Sequence, residues 1–294
     1  MSTVKKMDTK ELIKKVRKIE IKTRGLSSQV FSGEYHSAFK GRGMAFAEVR
    51  EYMPGDEIRT IDWNVTARFN TPYVKVFQEE RELTMMLLVD ISGSSVFGTK
   101  NQLKRELIAE LCAVLSFSAA QNNDKIGVIL FTDQVELFIP PKKGKKHILR
   151  IIRELLEFEP QSTKTDLSHV LRHFNNAIKK RSIAFVISDF MGSTGLEEAL
   201  KIVNKRHDLI ALQVNDPFEE ELPKLGLINL KDAETGESQW INTSSKKVRT
   251  KWKAEAIARN KKLANSFKKS GVDFVKIETN KPYIIPLMNL FKRR

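Results

Sequence analysis

The chain reads as an α/β protein. Its main part is a doubly wound, mainly parallel sheet with one antiparallel edge strand, and a small β-rich module precedes that sheet. Three observations predict this. From residue 85 onward, continuous apolar runs alternate with amphipathic stretches, the pattern of parallel strands covered on both faces by crossover helices. The apolar runs 125–132 and 134–139 lie too close together for a crossover, so they pair as a hairpin and make one edge antiparallel. Residues 29–84 are rich in Gly, Tyr, Phe and Arg, with β-branched alternation in Tyr73-Val74-Lys75-Val76-Phe77, which marks a separate β module.

The elements follow in order. Residues 8–22 carry Leu12, Val16 and Ile19 at helical spacing with lysines between them, which predicts a short basic amphipathic helix. Strands are expected at 85–90, 125–132, 134–139, 182–188, 208–214 and 272–277, and helices at 101–121, 145–158, 166–180, 195–206 and 247–269. A second hairpin, 227–242, turns at Glu234-Thr235-Gly236-Glu237. The implied organisation is a basic N-terminal helix (1–28), the β-rich module (29–84), the main α/β domain (85–280) and a basic C-terminal tail (281–294).

At 294 residues, with 41% hydrophobic and 30% charged residues, the chain can bury a substantial core. The single cysteine, Cys112, lies in an apolar helical pattern; it excludes an internal disulfide framework and reads as a small core side chain. No run reaches the ~18 apolar residues of a membrane-spanning helix. The N-terminus lacks the apolar segment of a secretory signal. A cytoplasmic protein is expected, with peripheral contact at the inner face of the membrane as an option. The net charge of +15 is unevenly spread: residues 1–24 carry +6 and residues 246–294 carry +12, which leaves 25–245 at −3. A nucleic-acid-binding domain would normally carry its charge on the working fold, so nucleic acid is a poor expectation.

The chemistry concentrates at strand ends. Asp90-Ile91-Ser92-Gly93-Ser94 follows the most apolar run in the chain, Met85 to Val89. A carboxylate and two hydroxyls at alternate positions on a Gly-containing turn form a hard-oxygen site, which suits Mg²⁺ better than a soft metal. Asp189 follows the apolar run 183–188, and Thr165 lies in the polar stretch 162–166 that opens a helix. In open α/β sheets, ligands bind outside the carboxyl ends of the strands, where strand order reverses. Each residue also has a purely structural role open to it: Asp90 and Ser92 as turn caps, Thr165 or Asp166 as a helix cap, Asp189 as an acceptor for a nearby N–H.

Taken together, Asp90, Ser92, Ser94, Thr165 and Asp189 resemble the metal-ion-dependent adhesion site of the von Willebrand factor A fold, whose pattern is Asp-x-Ser-x-Ser, then a Thr before a helix, then an Asp after a later strand. The resemblance implies that Ser92, Ser94 and Thr165 reach the metal through their hydroxyls, directly or through water, and that Asp90 and Asp189 act mostly through bound water. Mg²⁺ is the implied ion, with Mn²⁺ and Ca²⁺ as alternatives. Neutral hydroxyls quench little of a divalent charge, so an Asp or Glu side chain of a partner protein is the natural further ligand.

Upstream, Arg50-Glu51-Tyr52-Met53-Pro54-Gly55-Asp56-Glu57-Ile58-Arg59-Thr60-Ile61-Asp62-Trp63 and Ala67-Arg68 resemble the signature of the bacterial family known as domain of unknown function 58. Gly33-Glu34-Tyr35-His36-Ser37 and Gly41-Arg42-Gly43 fit the same family, and Ser95 stands where many relatives have Met. In that family a von Willebrand-like domain follows a β-rich segment, and the genes commonly neighbour those of MoxR-type AAA+ ATPases. The resemblance therefore implies a non-enzymatic adaptor in a chaperone-like or envelope-related assembly, with a MoxR-type ATPase as partner. Within the signature, Arg50, Arg59, Asp62 and Arg68 are expected to form an ion-pair lattice around Trp63.

Other motifs carry less. His169 and His173 are four apart on a helix, but no third His or Cys is suitably spaced for zinc. Asp133 reads as a hairpin turn residue. Neither Gly41-x-Gly43 nor Gly144-Lys145 completes a nucleotide loop. Two alternative functions stay open: a Mg²⁺-dependent phosphohydrolase with Asp90 as nucleophile, against which Ser92 stands where such sites place a second acid, and binding of nucleic acid or anionic membrane through the basic ends.

Overall fold

The computed structural model describes residues 9–26, 44–79, 82–98, 103–192 and 195–294. Gly33–Ser37, Gly41–Gly43 and the first residues of the helix expected at 101–121 lie outside the described residues. The chain divides into two compact units, one formed by 1–38 with 84–294 and one by 39–83.

The smaller unit is a two-stranded antiparallel sheet of β1 (Met44–Glu51) and β2 (Tyr73–Glu79), with a bulge between Phe46 and Glu48. The signature segment crosses between the strands through a 3₁₀ turn, Ile58–Thr60, and a short helix, α2 (Trp63–Phe69). Asp62 caps that helix by accepting from the N–H groups of Asn64 and Val65 at 3.0 and 3.3 Å. Arg50 grips Asp56 with two 2.7 Å hydrogen bonds, and Asp56 also accepts from the Met53 N–H at 2.8 Å. This pins the Pro54-Gly55 turn, where Gly55 sits at φ +110°, a conformation that favours glycine. The expected lattice around Trp63 is not what forms. Arg50 pairs with Asp56, Asp62 pairs with Lys75 at 3.4 Å, and Trp63 is 67% exposed.

The larger unit holds a six-stranded sheet: β3 (Thr84–Asp90), β4 (Lys125–Phe131), β5 (Val135–Lys142), β6 (Ile183–Ser188), β7 (Asp208–Asn215) and β10 (Asp273–Glu278), in spatial order β10-β7-β6-β3-β4-β5. All neighbours are parallel except β4 and β5. The doubly wound, mainly parallel sheet with one antiparallel edge is thus the fold observed. From β3 the chain first builds outward to β4 and β5, then returns to the other side of β3 for β6, β7 and β10. The order reverses at the β3–β6 junction.

Among the described residues, seven helices complete this unit's layers. They are α1 (Thr9–Leu26), α3 (Lys104–Gln121), α4 (Lys145–Glu157), α5 (Leu167–Ala177), α6 (Leu196–Asn204), α8 (Lys246–Ser270) and α9 (Ile284–Lys292), with a single turn, α7 (Pro217–Glu220), after β7. Every residue of β3 is buried. Met86 and Leu88 join a cluster with Leu171 and Phe174 of α5, Leu200 of α6 and Phe267 of α8. The alternation along β3 sends Met85, Leu87 and Val89 to the opposite face. Helix α3 is buried along most of its length, including Cys112.

Two boundaries differ from expectation. The basic N-terminal helix groups with the larger unit: Ile19 is buried, and Lys22 and Glu20 pair with Glu110 and Lys145, each at 2.6 Å. The expected basic tail is helix α9, whose Leu287, Leu290 and Phe291 are buried, because apolar residues at i, i+3 and i+4 make one face of a helix. Among the described residues, no helix is long and apolar enough to cross a membrane.

Candidate metal centre

The carboxyl end of β3 meets that of β6 at the point where strand order reverses. Asp90 is the last residue of β3, and Asp189 directly follows β6. Both are buried. After Asp90 the chain enters a 3₁₀ turn, Gly93–Val96, which Ser95 closes by donating its hydroxyl to the Ser92 carbonyl at 2.8 Å. The turn brings the Ser92 and Ser94 hydroxyl oxygens to 3.2 Å from each other.

Asp90 is held by neutral donors. Its Oδ1 accepts from the Ser92 N–H at 2.9 Å, and its Oδ2 accepts from the Ser188 hydroxyl at 2.6 Å. Burial, with the charge of Asp189 adding to it, raises the Asp90 carboxyl above the usual range, although the Ser188 and Ser92 hydrogen bonds oppose this. Asp189 is treated differently. Burial works to raise it too, but the Lys104 ammonium, the Met191 N–H and the Ser94 hydroxyl together outweigh burial and hold it low. Lys104, the first residue of α3, is itself buried and lies 3.0 Å from Asp189 Oδ2 while also pairing with Glu219 on α7.

Four of the five expected residues thus form one chain of hydrogen bonds: Asp90 to Ser92, Ser92 to Ser94, Ser94 to Asp189. Thr165 joins less directly. Its loop is tied to the site by the Gly93 N–H, which donates to the Thr163 carbonyl at 3.1 Å. Its side chain hydrogen-bonds the carboxylate of Glu234. Asp166 takes the helix-cap role, accepting from the His169 N–H at 3.0 Å.

The donor chemistry fits a hard divalent cation. Two buried carboxylates, one of them with only neutral partners, face two hydroxyls on a single turn, a pure oxygen set with an excess of negative charge. Among the described residues no group of three or more His, Cys, Asp and Glu gathers into a metal-holding cluster, so any ion here depends on the serine hydroxyls.

Sequence reasoning missed Ser188, Lys104, Glu219 and Glu234. Ser188 is the residue before Asp189 and reaches Asp90 across the strand pair; its Oγ also accepts from the Phe190 N–H at 2.9 Å. Phe190 adopts φ +57°, unfavourable for a bulky side chain. Its ring is held edge-on against Phe267 at 5.0 Å, which fixes the turn after Asp189. Nothing local in the sequence marks Lys104 or Glu234.

A family model described as "Protein of unknown function DUF58" matches residues 48–262, a span that contains both aspartates, both serines and Thr165. An uncharacterized protein of Mycobacterium tuberculosis is 27% identical over 290 residues, covering 98% of this chain and 91% of its own. Among solved structures, the chain resembles a conserved hypothetical protein, BatB, from Bacteroides thetaiotaomicron (16% identity, TM-score 0.48, 72% of this chain and 98% of that one). It also resembles an aerotolerance-related membrane protein from Bacteroides fragilis (15% identity, TM-score 0.49, 72% and 100%). With nearly three-quarters of its length matched by that one model, the chain belongs to the DUF58 family.

Proposed function

We propose that this protein is a non-enzymatic, Mg²⁺-dependent protein-binding module, an adaptor that works with a MoxR-type AAA+ ATPase. The observation that supports it is the hydrogen-bonded run Asp90–Ser92–Ser94–Asp189 at the strand-order reversal, where α/β sheets place their ligands. Ser92, Ser94 and Thr165 would hold the ion through hydroxyls, and Asp90 and Asp189 would set the charge around it. A bound Mg²⁺ supplies a positive charge that recruits a partner's carboxylate. The partnership with a MoxR-type ATPase is carried over from the sequence resemblance alone, whereas the carboxylate preference is argued from the site.

The hydrolase alternative meets a physical obstacle. Asp90 is 3% exposed and each of its oxygens accepts a hydrogen bond, one from an N–H and one from a hydroxyl, which disfavours its approach to a phosphorus atom. The adaptor reading is tested by pull-down with a purified MoxR-type AAA+ ATPase. Retention is expected in Mg²⁺, with loss in EDTA and with Asp90→Ala or Ser94→Ala. Equal retention under all four conditions would overturn it.

A further inference from the structure

We propose that Glu234, at the tip of the hairpin of β8 (Leu227–Lys231) and β9 (Ser238–Asn242), is a built-in carboxylate of the metal centre, seated where a partner's Asp or Glu would approach and displaced when that partner binds. This inference rests on the reading of the site given above and names its regulation.

The hairpin tip touches each of the three loops that form the site. At the first loop, a Cβ on Gly93 would lie 2.2 Å from the Ala233 carbonyl oxygen, so only glycine lets the tip sit this close. At the second, the Thr163 hydroxyl donates to the Glu234 carbonyl at 2.9 Å, and the Glu234 carboxylate hydrogen-bonds Thr165. At the third, a Cβ on Gly192 would stand 3.7 Å from Glu234 Oε2 and 3.9 Å from Oε1. The side chain is therefore directed between Thr165 and the Asp189 loop.

The tip is also preorganised. Asp232 accepts from the N–H groups of Glu234 and Thr235 at 2.9 and 2.8 Å, and its carbonyl accepts from Gly236 at 3.0 Å. These bonds present Glu234 in one orientation, an Asx-type turn. Its neighbours are themselves acidic: Asp133, Asp189 and Asp232 all act on Glu234. Behind burial, these charges raise the Glu234 carboxyl above its usual range, and a cation bound beside it would oppose that.

The rest of the hairpin suits displacement. Two strands make a marginal sheet in isolation, and Leu227 and Trp240 are both more than 60% exposed. Its base is firmly tied. The Thr243 N–H and hydroxyl both donate to the Gly226 carbonyl at 2.8 Å, the Thr243 oxygen accepts from the Leu225 N–H at 2.9 Å, and Arg249 donates to the Thr243 carbonyl at 2.6 Å. A fixed base and a weakly held blade describe a flap.

The test uses the full chain with Mn²⁺ as probe and water-proton relaxation as readout, since that signal follows the number of exchangeable waters on the ion. Glu234→Gln is expected to keep Mn²⁺ bound and to raise the relaxation enhancement above wild type, as water replaces the lost carboxylate. A short Glu-containing peptide should then quench that enhancement at about tenfold lower concentration than in wild type, the gain expected when a flap closed about nine-tenths of the time is released. In wild type, Mn²⁺ should slow amide exchange at residues 232–236, and Glu234→Gln should abolish that slowing. Equal enhancement, peptide response and amide exchange in the two proteins would overturn the proposal for Glu234 while leaving the metal site standing. No Mn²⁺ binding by wild type would overturn both.

Discussion

Lys104 shows how a single residue couples the site to the core. It is the one lysine among the largest fully buried side chains of the described residues, and its ammonium lies between Asp189 and Glu219. Removing one member of a buried ion cluster leaves the others charged and desolvated, which costs more than the cluster contributed. Lys104→Met is therefore expected to lower stability by ~3–5 kcal/mol in urea denaturation. Glu219→Gln should cost less, because Lys104 keeps Asp189. His207 makes the opposite use of burial. Its ring packs on Phe174 at 4.5 Å, its Nδ1 lies 3.0 Å from the Ser182 hydroxyl, and its Nε2 has no partner. Burial first, then the charges of Arg206 and Arg181, push the imidazole down to about 4. The unfolded chain takes up this proton near ~6.5. The stability that the neutral ring contributes is thus fully present above that value and is lost as pH falls toward 4. A plot of Tm against pH should be flatter across this window in His207→Asn than in wild type.

At the scale of elements, the hairpin tip and the terminal helix carry the clearest expectations. Gly93→Ala places a methyl against the Ala233 carbonyl. It should therefore lift the β8–β9 tip and speed its amide exchange, while the sheet beneath keeps its protection. Leu287 of α9 is fully buried, and Leu287→Ala is expected to cost ~2–5 kcal/mol, where a disordered tail would lose nothing. That helix escaped sequence reading for a local reason. Pro286 interrupts the apolar run, and Lys292, Arg293 and Arg294 end it with charge. A proline in the first turn leaves the helix intact, because the N–H it lacks has no helical partner there. The parallel strands were legible because β3, β6 and β7 are buried on both faces and so read as unbroken apolar runs. The Asp90–Ser94 loop was legible because its oxygen groups stand at alternate positions of one short segment. Ser188 reaches Asp90 across 98 positions, Lys104 reaches Asp189 across 85, and Thr163 meets Glu234 across 71. Those partners are set by strand order and hairpin placement, which no local pattern encodes.

Across the whole molecule the decisive quantity is where the charge sits. Residues 246–294 carry +12 of the net +15, and much of that lies on α8, where Lys261, Lys262 and Lys268 are exposed. Some of the charge there is answered locally: Lys253 pairs with Glu221 at 3.1 Å and Lys269 with Glu197 at 3.9 Å. Exposed pairs of this kind contribute little to stability, so the surplus charge is available for long-range attraction. The candidate metal centre, by contrast, holds two buried carboxylates, Asp90 and Asp189. On the proposed function, the basic flank suits contact with an anionic membrane while the candidate site meets a protein partner, since each juxtamembrane basic residue is worth about 1 kcal/mol near such a surface. Vesicle sedimentation separates the two. Retention on phosphatidylserine-containing vesicles is expected at low salt and should fall steeply as salt screens the attraction over a Debye length. Lys261→Glu with Lys262→Glu should weaken that retention without altering Mn²⁺ binding, and Asp90→Ala should do the reverse. If both variants moved both readouts together, the flank and the site would be one surface rather than two.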